Sequence, residues 1–378
     1  MRPRSARRHV LMVIGTRPEA IKMAPVIREL QRRHRRIHLT VCATAQHRVL
    51  LDQVVDLFGI PIDFDLDLMV ADQTLEGLTS RILDRMAGVL DKTQPDIVLV
   101  QGDTTTAFAV SLASFYHRIP VGHVEAGLRT GDPMAPFPEE LNRRLTSQLA
   151  LLHFAPTRWA RANLLAEGIP SSRIFVTGNT VVDAFLHARR MVLRRRPAGL
   201  PLNGLARSNR KILLVTAHRR ENFGAPIEEI CSALKELATR RDDIVIVYPV
   251  HPNPNVCGPV RRILGHVPRI HLLEPLEYLP FVWLMNRAYL VLTDSGGIQE
   301  EMPSLGRPVL ILRDKTERPE GLEAGVCQLV GTRASSIRRA VTRLLDDPQA
   351  YRRFARRRNP FGDGQAARRI ADRLERSL

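Results

Sequence analysis

The stretch VLMVIGTRPEAIKMAPVI (residues 10–27) decides the fold. The apolar run Val10–Ile14 is followed at once by a glycine turn and by apolar residues at helical spacing, with Pro18 where the first turn of a helix would lie. An apolar run without alternation is typical of a strand covered by helices on both faces. The stretch therefore predicts a strand–turn–helix unit of a parallel sheet.

The same pattern recurs along the chain. Further candidate strands in the first half are His38–Ala43, Asp96–Gln101, Val121–Glu125 and His153–Ala155, and those in the second half are Lys211–Thr216, Ile244–Val250, Ile270–Leu273, Leu290–Thr293 and Pro308–Leu312. Ten strands are many for one open sheet, and 378 residues suffice for two domains. We expect two doubly wound α/β domains, with the break between residues 178 and 210, where Pro, Gly and Asn accumulate.

Composition excludes several classes of protein. A hydrophobic content of 44% with 25% charged residues indicates a globular chain rather than a disordered one. The net charge of +17 suggests a nucleic-acid surface, but four arginine-rich runs (residues 1–9, 31–37, 189–196 and 338–378) together carry +20, which favours locally solvated faces. No apolar stretch approaches the roughly 20 residues of a membrane helix. The four cysteines are too far apart for a zinc clip or redox pair, so we expect a cytoplasmic protein with reduced thiols.

Cationic side chains follow the first strand of each half. Arg17 and Lys22 lie in and after the turn at residue 15, where they would suit a diphosphate or would be ordinary surface cations. Free backbone amides of that turn would also face the ligand. His218 follows the first strand of the second half, and it could contact a phosphate, donate a proton or be a plain loop histidine.

Carboxylates cluster at strand ends and helix starts in the first half. Asp103 follows the third predicted strand, where it could also be a helix cap. Glu125 ends an apolar strand, and burying it requires a partner, for which Arg129 is the candidate. Glu139 and Glu140 open a helix, where acids favour the helix dipole. Together these carboxylates make a credible acid/base set.

The turn after Leu290–Thr293 is rich in glycine. Ser295 can cap the following helix, and Gly296 and Gly297 would let a phosphate approach the backbone amides. Glu301, one to two turns further on, would suit ribose hydroxyls. Phe281 could stack on a base or belong to the core. With no HExxH metal motif and no GxSxG elbow, we expect neither a metal nor a cofactor, and the chain reads as a nucleotide-sugar enzyme with its site in an interdomain cleft.

Longer motifs then point to a family. GTRPEAIKMAPVI (15–27), HVEAGLRTGD (123–132), PEELNRRLT (138–146), TGNTVVDA (177–184), TAHRRENFG (216–224) and TDSGGIQEE (293–301) resemble the bacterial, non-hydrolysing UDP-N-acetylglucosamine 2-epimerases, over roughly residues 10–365. The resemblance implies a glycosyltransferase-B fold, with residues 9–180 and a C-terminal helix (362–378) forming one Rossmann-like domain and residues 181–361 a UDP-binding domain. It also implies a homodimer that interconverts UDP-N-acetylglucosamine and UDP-N-acetylmannosamine for cell-surface polysaccharides.

The resemblance also implies a role for each candidate residue. Asp103, Glu125 and Glu139 would do the acid/base work and His218 would stabilise the leaving diphosphate. UDP would be bound through its phosphates by Arg17, Ser295, Gly296 and Gly297, through its ribose by Glu301 and through uracil by Phe281, with Lys22 and Arg143 supporting the site.

Two alternatives remain open at this point. A hydrolysing epimerase would share the fold but release free N-acetylmannosamine and UDP. A non-catalytic or nucleic-acid-binding protein would use the net positive charge, whereas an epimerase requires neither a nucleic acid nor a membrane. Gln46 and His47, after the second strand, are weak candidates for a regulatory substrate site.

Overall fold

A computed structural model describes residues 7–44, 48–70, 73–197 and 209–377. The chain forms two compact units, one comprising the residues up to Ala184 together with the segment from Gly362 onward, and the other Phe185–Phe361. Gln46, His47 and most of the proline- and glycine-rich stretch before Arg210 lie outside the described residues. Within the described ranges, no helix is both long enough and apolar enough to cross a bilayer.

The first unit is built on a seven-stranded parallel sheet. Its strands are β1 (Arg8–Ile14), β2 (Ile37–Ala43), β3 (Phe64–Asp65), β4 (Ile97–Gln101), β5 (Val121–Val124), β6 (Leu152–Ala155) and β7 (Ile174–Val176). The helices are α1 (Arg17–Arg32), α2 (Arg48–Phe58), α3 (Leu75–Thr93), α4 (Thr105–Tyr116), α5 (Glu139–Leu149), α6 (Arg158–Ala166) and the start of α7 (Thr180–Arg194). The strand order is β3-β2-β1-β4-β5-β6-β7, so the order reverses between β1 and β4. Residues 10–14 of β1 are at most 1% exposed, as expected for a central strand covered on both faces.

The second unit repeats this architecture with six strands. They are β8 (Lys211–Thr216), β9 (Ile244–Pro249), β10 (Ile270–Leu273), β11 (Leu290–Thr293), β12 (Val309–Ile311) and β13 (Cys327–Leu329). Its helices are α8 (Ala225–Arg240), α9 (Pro254–Leu264), α10 (Tyr278–Arg287), α11 (Gly296–Glu301), α12 (Pro319–Glu323), α13 (Ala334–Asp346) and α14 (Pro348–Ala355). The order is β10-β9-β8-β11-β12-β13, which reverses between β8 and β11.

All ten predicted strands are present, and both sheets are parallel throughout. β3, β7 and β13, which the sequence pattern did not predict, have two or three residues each and lie at sheet edges. Strands this short carry too few residues for a periodic pattern. The expected architecture of two doubly wound α/β domains is confirmed.

The last helix, α15 (Ala366–Ser377), belongs to the first unit. Asp183 caps it, because its carboxylate accepts the backbone N–H groups of Ala366 (3.2 Å) and Ala367 (3.0 Å). Arg33 at the end of α1 lies 2.7 Å from Asp372 of the same helix. These contacts join residues that are more than 180 positions apart in the chain.

Candidate active site

The two reversals of strand order define where ligands are expected. In open parallel sheets, ligands bind beyond the carboxyl ends of the strands at the point where the order reverses. In the first unit these ends lead into the turns at Gly15 and Gly102, and in the second unit into those at Ala217 and Asp294. Most of the predicted site residues lie in or just after these four turns.

The turn after β1 is tightly packed. Thr16 is the N-cap residue of α1, and a Cβ on Gly15 would lie 2.3 Å from Thr106 Oγ1 and 2.7 Å from Thr44 Oγ1, so only glycine fits. The expectation of free amides is wrong for Gly15, whose N–H donates to Glu19 Oε2 (3.1 Å). Arg17 stands half-buried at the first position of the helix.

Glu19 joins the turns after β1 and β4. Besides Gly15, it accepts the hydroxyl of Thr104, at 2.8 Å, and Thr104 in turn caps α4 through the N–H of Ala107. The side chain is 2% exposed, and burial raises the pKa of its carboxyl to about 7. The two turns at the reversal are therefore fixed to one buried carboxyl group.

Glu125 follows β5 with a φ of 65°, a left-handed conformation that is uncommon for any residue except glycine. Lys22 Nζ contacts both carboxylate oxygens, at 2.8 and 2.6 Å, and Gln101 Nε2 donates to Oε2 at 2.5 Å. The proposed partner, Arg129, is wrong, because its guanidinium instead pairs with Glu167 at 2.6 and 2.7 Å. A cation and an amide thus hold a buried carboxylate at the carboxyl edge of the sheet.

Asp103 lies beside Arg143. Arg143 Nη2 donates to Asp103 Oδ2 at 2.6 Å, and Asn142 Nδ2 donates to the Asp103 carbonyl at 3.0 Å. Since Thr104 is the helix cap, the Asp103 side chain is not used for capping. Beneath this turn, His123 Nε2 lies 2.7 Å from the Gly102 carbonyl, and burial lowers the His123 pKa to about 3, so the ring is neutral and Nε2–H donates.

The two acids that begin α5 have different environments. Glu140 is fully buried and accepts the backbone N–H groups of Thr130 (3.0 Å) and Gly131 (3.3 Å) and the guanidinium of Arg144 (3.1 Å). Glu140 therefore anchors the loop before the helix. Glu139 stands half-buried at the first helical position.

In the second unit, the turn after β8 is held by Asp294 at the end of β11. Asp294 Oδ2 accepts the backbone N–H groups of His218 (2.7 Å) and Arg219 (2.8 Å) and the amide of Asn222 (2.9 Å). The ring of His218 stacks on that of His251, with centroids 5.4 Å apart. Burial lowers the pKa of His218, and the nearby Asp294 carboxylate opposes this effect.

The glycines after β11 differ in what surrounds them. A Cβ on Gly296 would lie 2.4 Å from Arg318 Nη1, so this glycine makes room for a guanidinium that also bonds the buried Glu300 at 2.5 Å. Among the described residues, no atom lies within 4 Å of the corresponding position at Gly297. Gly297 therefore leaves open the space that an approaching phosphate would need, whereas Gly296 is explained by Arg318.

The remaining predicted residues lie around the same turn or on α10. Ser295 is the N-cap residue of α11, but its side chain makes no capping hydrogen bond. Glu301 ends that helix and is 7% exposed, and Phe281 is half-buried in the first turn of α10. Within the described ranges, no group of three or more His, Cys, Asp or Glu side chains is arranged to hold a metal ion.

Comparisons with known proteins identify this arrangement. A family profile described as UDP-N-acetylglucosamine 2-epimerase matches residues 28–375. A curated relative of that name from Escherichia coli K12 is 56% identical over 369 residues, which cover 97% of this chain and 98% of the relative. The chain belongs to the UDP-N-acetylglucosamine 2-epimerase family.

Solved structures agree with this assignment. The UDP-GlcNAc 2-epimerase of Neisseria meningitidis, bound to UDP-GlcNAc, superposes with a TM-score of 0.91 at 50% identity, covering 98% of this chain and all of the other. The glycotransferase of kitacinnamycin, at 17% identity and a TM-score of 0.64 over 99% of this chain, shares the fold alone. The predicted glycosyltransferase-B fold and epimerase activity are confirmed, and the comparisons give the hydrolysing alternative no support.

Several residues that fix these turns were not predicted from the sequence. Gln101, the last residue of β4, was a visible signal, because a polar side chain ended a strand that is otherwise apolar. Glu19 and Asp294 each fit a local explanation, as a first-turn acid and as a turn residue. Arg318 gave no signal, because it contacts Gly296 only through the tertiary fold.

Proposed function

We propose that this epimerase acts without hydrolysis and supplies UDP-N-acetylmannosamine for cell-surface polysaccharide synthesis. The observation that carries its proton-transfer chemistry is the buried carboxylate of Glu125, which Lys22 and Gln101 hold on the same sheet edge as Asp103. The family assignment supplies the substrate, since the Neisseria meningitidis relative was solved with UDP-GlcNAc bound.

The chemistry requires a pair of groups that move protons. The hydrogen on the second sugar carbon is not acidic, because the neighbouring anomeric carbon is an acetal and offers no enolate. A base therefore removes this hydrogen while the bond between the anomeric carbon and UDP breaks, which leaves a glycal and free UDP. UDP then adds back to the anomeric carbon as an acid delivers a proton to the other face of the second carbon.

The first unit would supply the proton-transfer groups. Asp103, Glu125 and Glu139 are the candidates, and each is positioned differently: Arg143 holds Asp103, Lys22 holds Glu125, and the first turn of α5 presents Glu139. A hydrogen-bonded cation fixes the orientation of the carboxylate beside it. Lys22 and Arg143 thus act by fixing the carboxylates rather than by contacting the substrate.

The second unit would supply most of the UDP site. His218 would stabilise the leaving diphosphate, and a phosphate would be accepted by the open backbone at Gly297 and by the Ser295 side chain, which makes no capping hydrogen bond. The buried Glu301 is the candidate for the ribose hydroxyls and Phe281 for uracil. Arg17 would add a cation at the turn after β1, and Gly296 would act indirectly by admitting Arg318.

Three further proposals concern location and partners. The four cysteines are free, and burial raises the pKa of the Cys42 thiol to about 12, which suits a reducing cytoplasm. We propose a homodimer, because Leu141 (48% exposed) and Leu145 (38% exposed) form an apolar stripe on the outer face of α5. Some arginines of the basic runs form ion pairs with acids, as Arg33 does with Asp372. Because such charges are already paired within the protein, we propose that it binds neither nucleic acid nor membrane.

The test is proton NMR of products formed from UDP-N-acetylglucosamine as the sole substrate. We expect UDP-N-acetylmannosamine to appear and the mixture to reach equilibrium without free sugar. Free N-acetylmannosamine and UDP increasing with each turnover would contradict the proposal. Glu125→Gln serves as the matched inactive control, and activity that survives this change would remove Glu125 from the mechanism.

A further inference from the structure

The two carboxylate oxygens of Asp294 differ in the number of hydrogen bonds that they accept. Oδ2 accepts three hydrogen bonds, from the backbone at His218 and Arg219 and from the Asn222 amide. In the described part of the chain no donor reaches Oδ1, although the residue is completely buried. A buried carboxylate oxygen without a donor is energetically unfavourable, so Oδ1 is an acceptor available for a further hydrogen bond.

The group that faces this acceptor is the imidazole of His218. Its Nδ1 lies 3.6 Å from Asp294 Oδ1, which is too long for a hydrogen bond but close enough to become one after a small rotation of the ring. Stacking on His251, with an interplanar angle of 11°, restricts the ring to rotations of that kind. The backbone of His218 is already fixed to the same carboxylate through its N–H.

From this geometry we infer that Asp294 is a positioning residue that orients His218 and supports its protonated form while the diphosphate departs. The inference rests on the proposed role of His218. With Nδ1–H directed at Asp294, Nε2 is directed away from the carboxylate and, when protonated, donates to a phosphate oxygen. The hydrogen bond at one ring nitrogen thereby determines what the other can do.

The charges around His218 make protonation depend on the ligand. The groups that face it are Asp294 after β11, Arg219 beside it and His251 after β9. Burial, Arg219 and His251 favour the neutral ring, and among the described residues Asp294 is the group that favours the imidazolium. A bound diphosphate adds negative charge on the other side, so the ring gains its proton when UDP is present.

The test compares Asp294→Asn with Asn222→Ala. Asp294→Asn keeps the shape of the side chain but removes its charge and the acceptor at the Oδ1 position. Asn222→Ala removes one donor to Oδ2 and leaves the carboxylate. For Asp294→Asn we expect kcat to fall by about 100-fold with KM little changed. Because the active ring is protonated, activity is lost as pH rises through its pKa, and in Asp294→Asn this loss should begin about one pH unit or more lower. Asn222→Ala should keep the native pH profile and lose only thermal stability.

A second measurement needs neither turnover nor a variant. Nitrogen-15 NMR of histidines in the native protein should show His218 becoming doubly protonated on addition of UDP, with a strongly downfield Nδ1 proton. A His218 that stays neutral with UDP bound, or an Asp294→Asn pH profile that matches the native one, would overturn the inference. A native protein without epimerase activity would instead contradict the proposed function, so the two failures are distinguishable.

Discussion

The contact between Lys22 and Glu125 makes a quantitative prediction. Lys22→Met leaves the Glu125 carboxylate, whose side chain is 4% exposed, with the Gln101 amide at 2.5 Å as its remaining donor among the described residues. Removing one partner of a buried ion pair costs about 3–5 kcal/mol, and the 18% exposure of Lys22 puts this site at the low end, about 3 kcal/mol. Glu125→Gln alone should cost about 1–2 kcal/mol, because it strands a less deeply buried ammonium.

The double variant separates this pair from its surroundings. Since replacing both partners removes the stranded charge, Lys22→Met/Glu125→Gln should be no less stable than Glu125→Gln, which gives a coupling energy of about 3 kcal/mol.

The two tryptophans allow the first unit to be followed alone. Trp159 lies in α6 of the first unit and Trp283 in α10 of the second, so urea unfolding in a Trp283→Phe background reports on the first unit. A loss below 1 kcal/mol in Lys22→Met, or a double variant that loses as much as the two single variants together, would refute the account of Glu125 as a carboxylate held by Lys22.

Three other predictions use the same measurement or UDP titration. Burial lowers the pKa of His153 to about 4, below its unfolded value of about 6.5, so the native protein should lose about 2 kcal/mol relative to His153→Phe as pH falls from 7.5 to 5; parallel curves would contradict this. Glu19 has the opposite sign, because its folded pKa of about 7 exceeds the unfolded value of about 4.5, so the native protein loses stability as pH rises. Between pH 5 and 8, Glu19→Gln should therefore gain about 2 kcal/mol relative to the native protein; a constant difference between the two proteins would contradict this. Gly296→Ala should displace Arg318 and cost about 2–4 kcal/mol, while the matched Gly297→Ala should leave stability unchanged and weaken UDP binding; equal stabilities for the two variants would show that Arg318 yields freely.

Much of this fold follows from local sequence. Apolar runs without alternation predict parallel strands because the side chains on both faces of such a strand are buried, and the turns that follow predict where the functional groups lie. The edge strands escaped prediction because two or three residues cannot show a period. Their pairing depends on the neighbouring strand, as for β3 beside β2.

The partners within the site were harder to predict than its members. Arg129 is four residues from Glu125 and was the natural candidate, yet the cation that reaches Glu125 is Lys22, 103 residues away. Glu140 could not be told from Glu139 by sequence, since both stand in the first turn of α5, and burial alone assigns one to structure. Sequence spacing locates residues along the chain, whereas pairing follows from the packing of the sheet.

The measurement that tests the central claim most directly is epimerisation in deuterated water. If carboxylates of the first unit remove and return the hydrogen on the second sugar carbon, every molecule of UDP-N-acetylmannosamine formed should carry solvent deuterium at that carbon, as seen by proton NMR and mass spectrometry. Asp103→Asn and Glu125→Gln should each suppress the labelling. Product that retains its original hydrogen at the second carbon would contradict proton transfer as the mechanism.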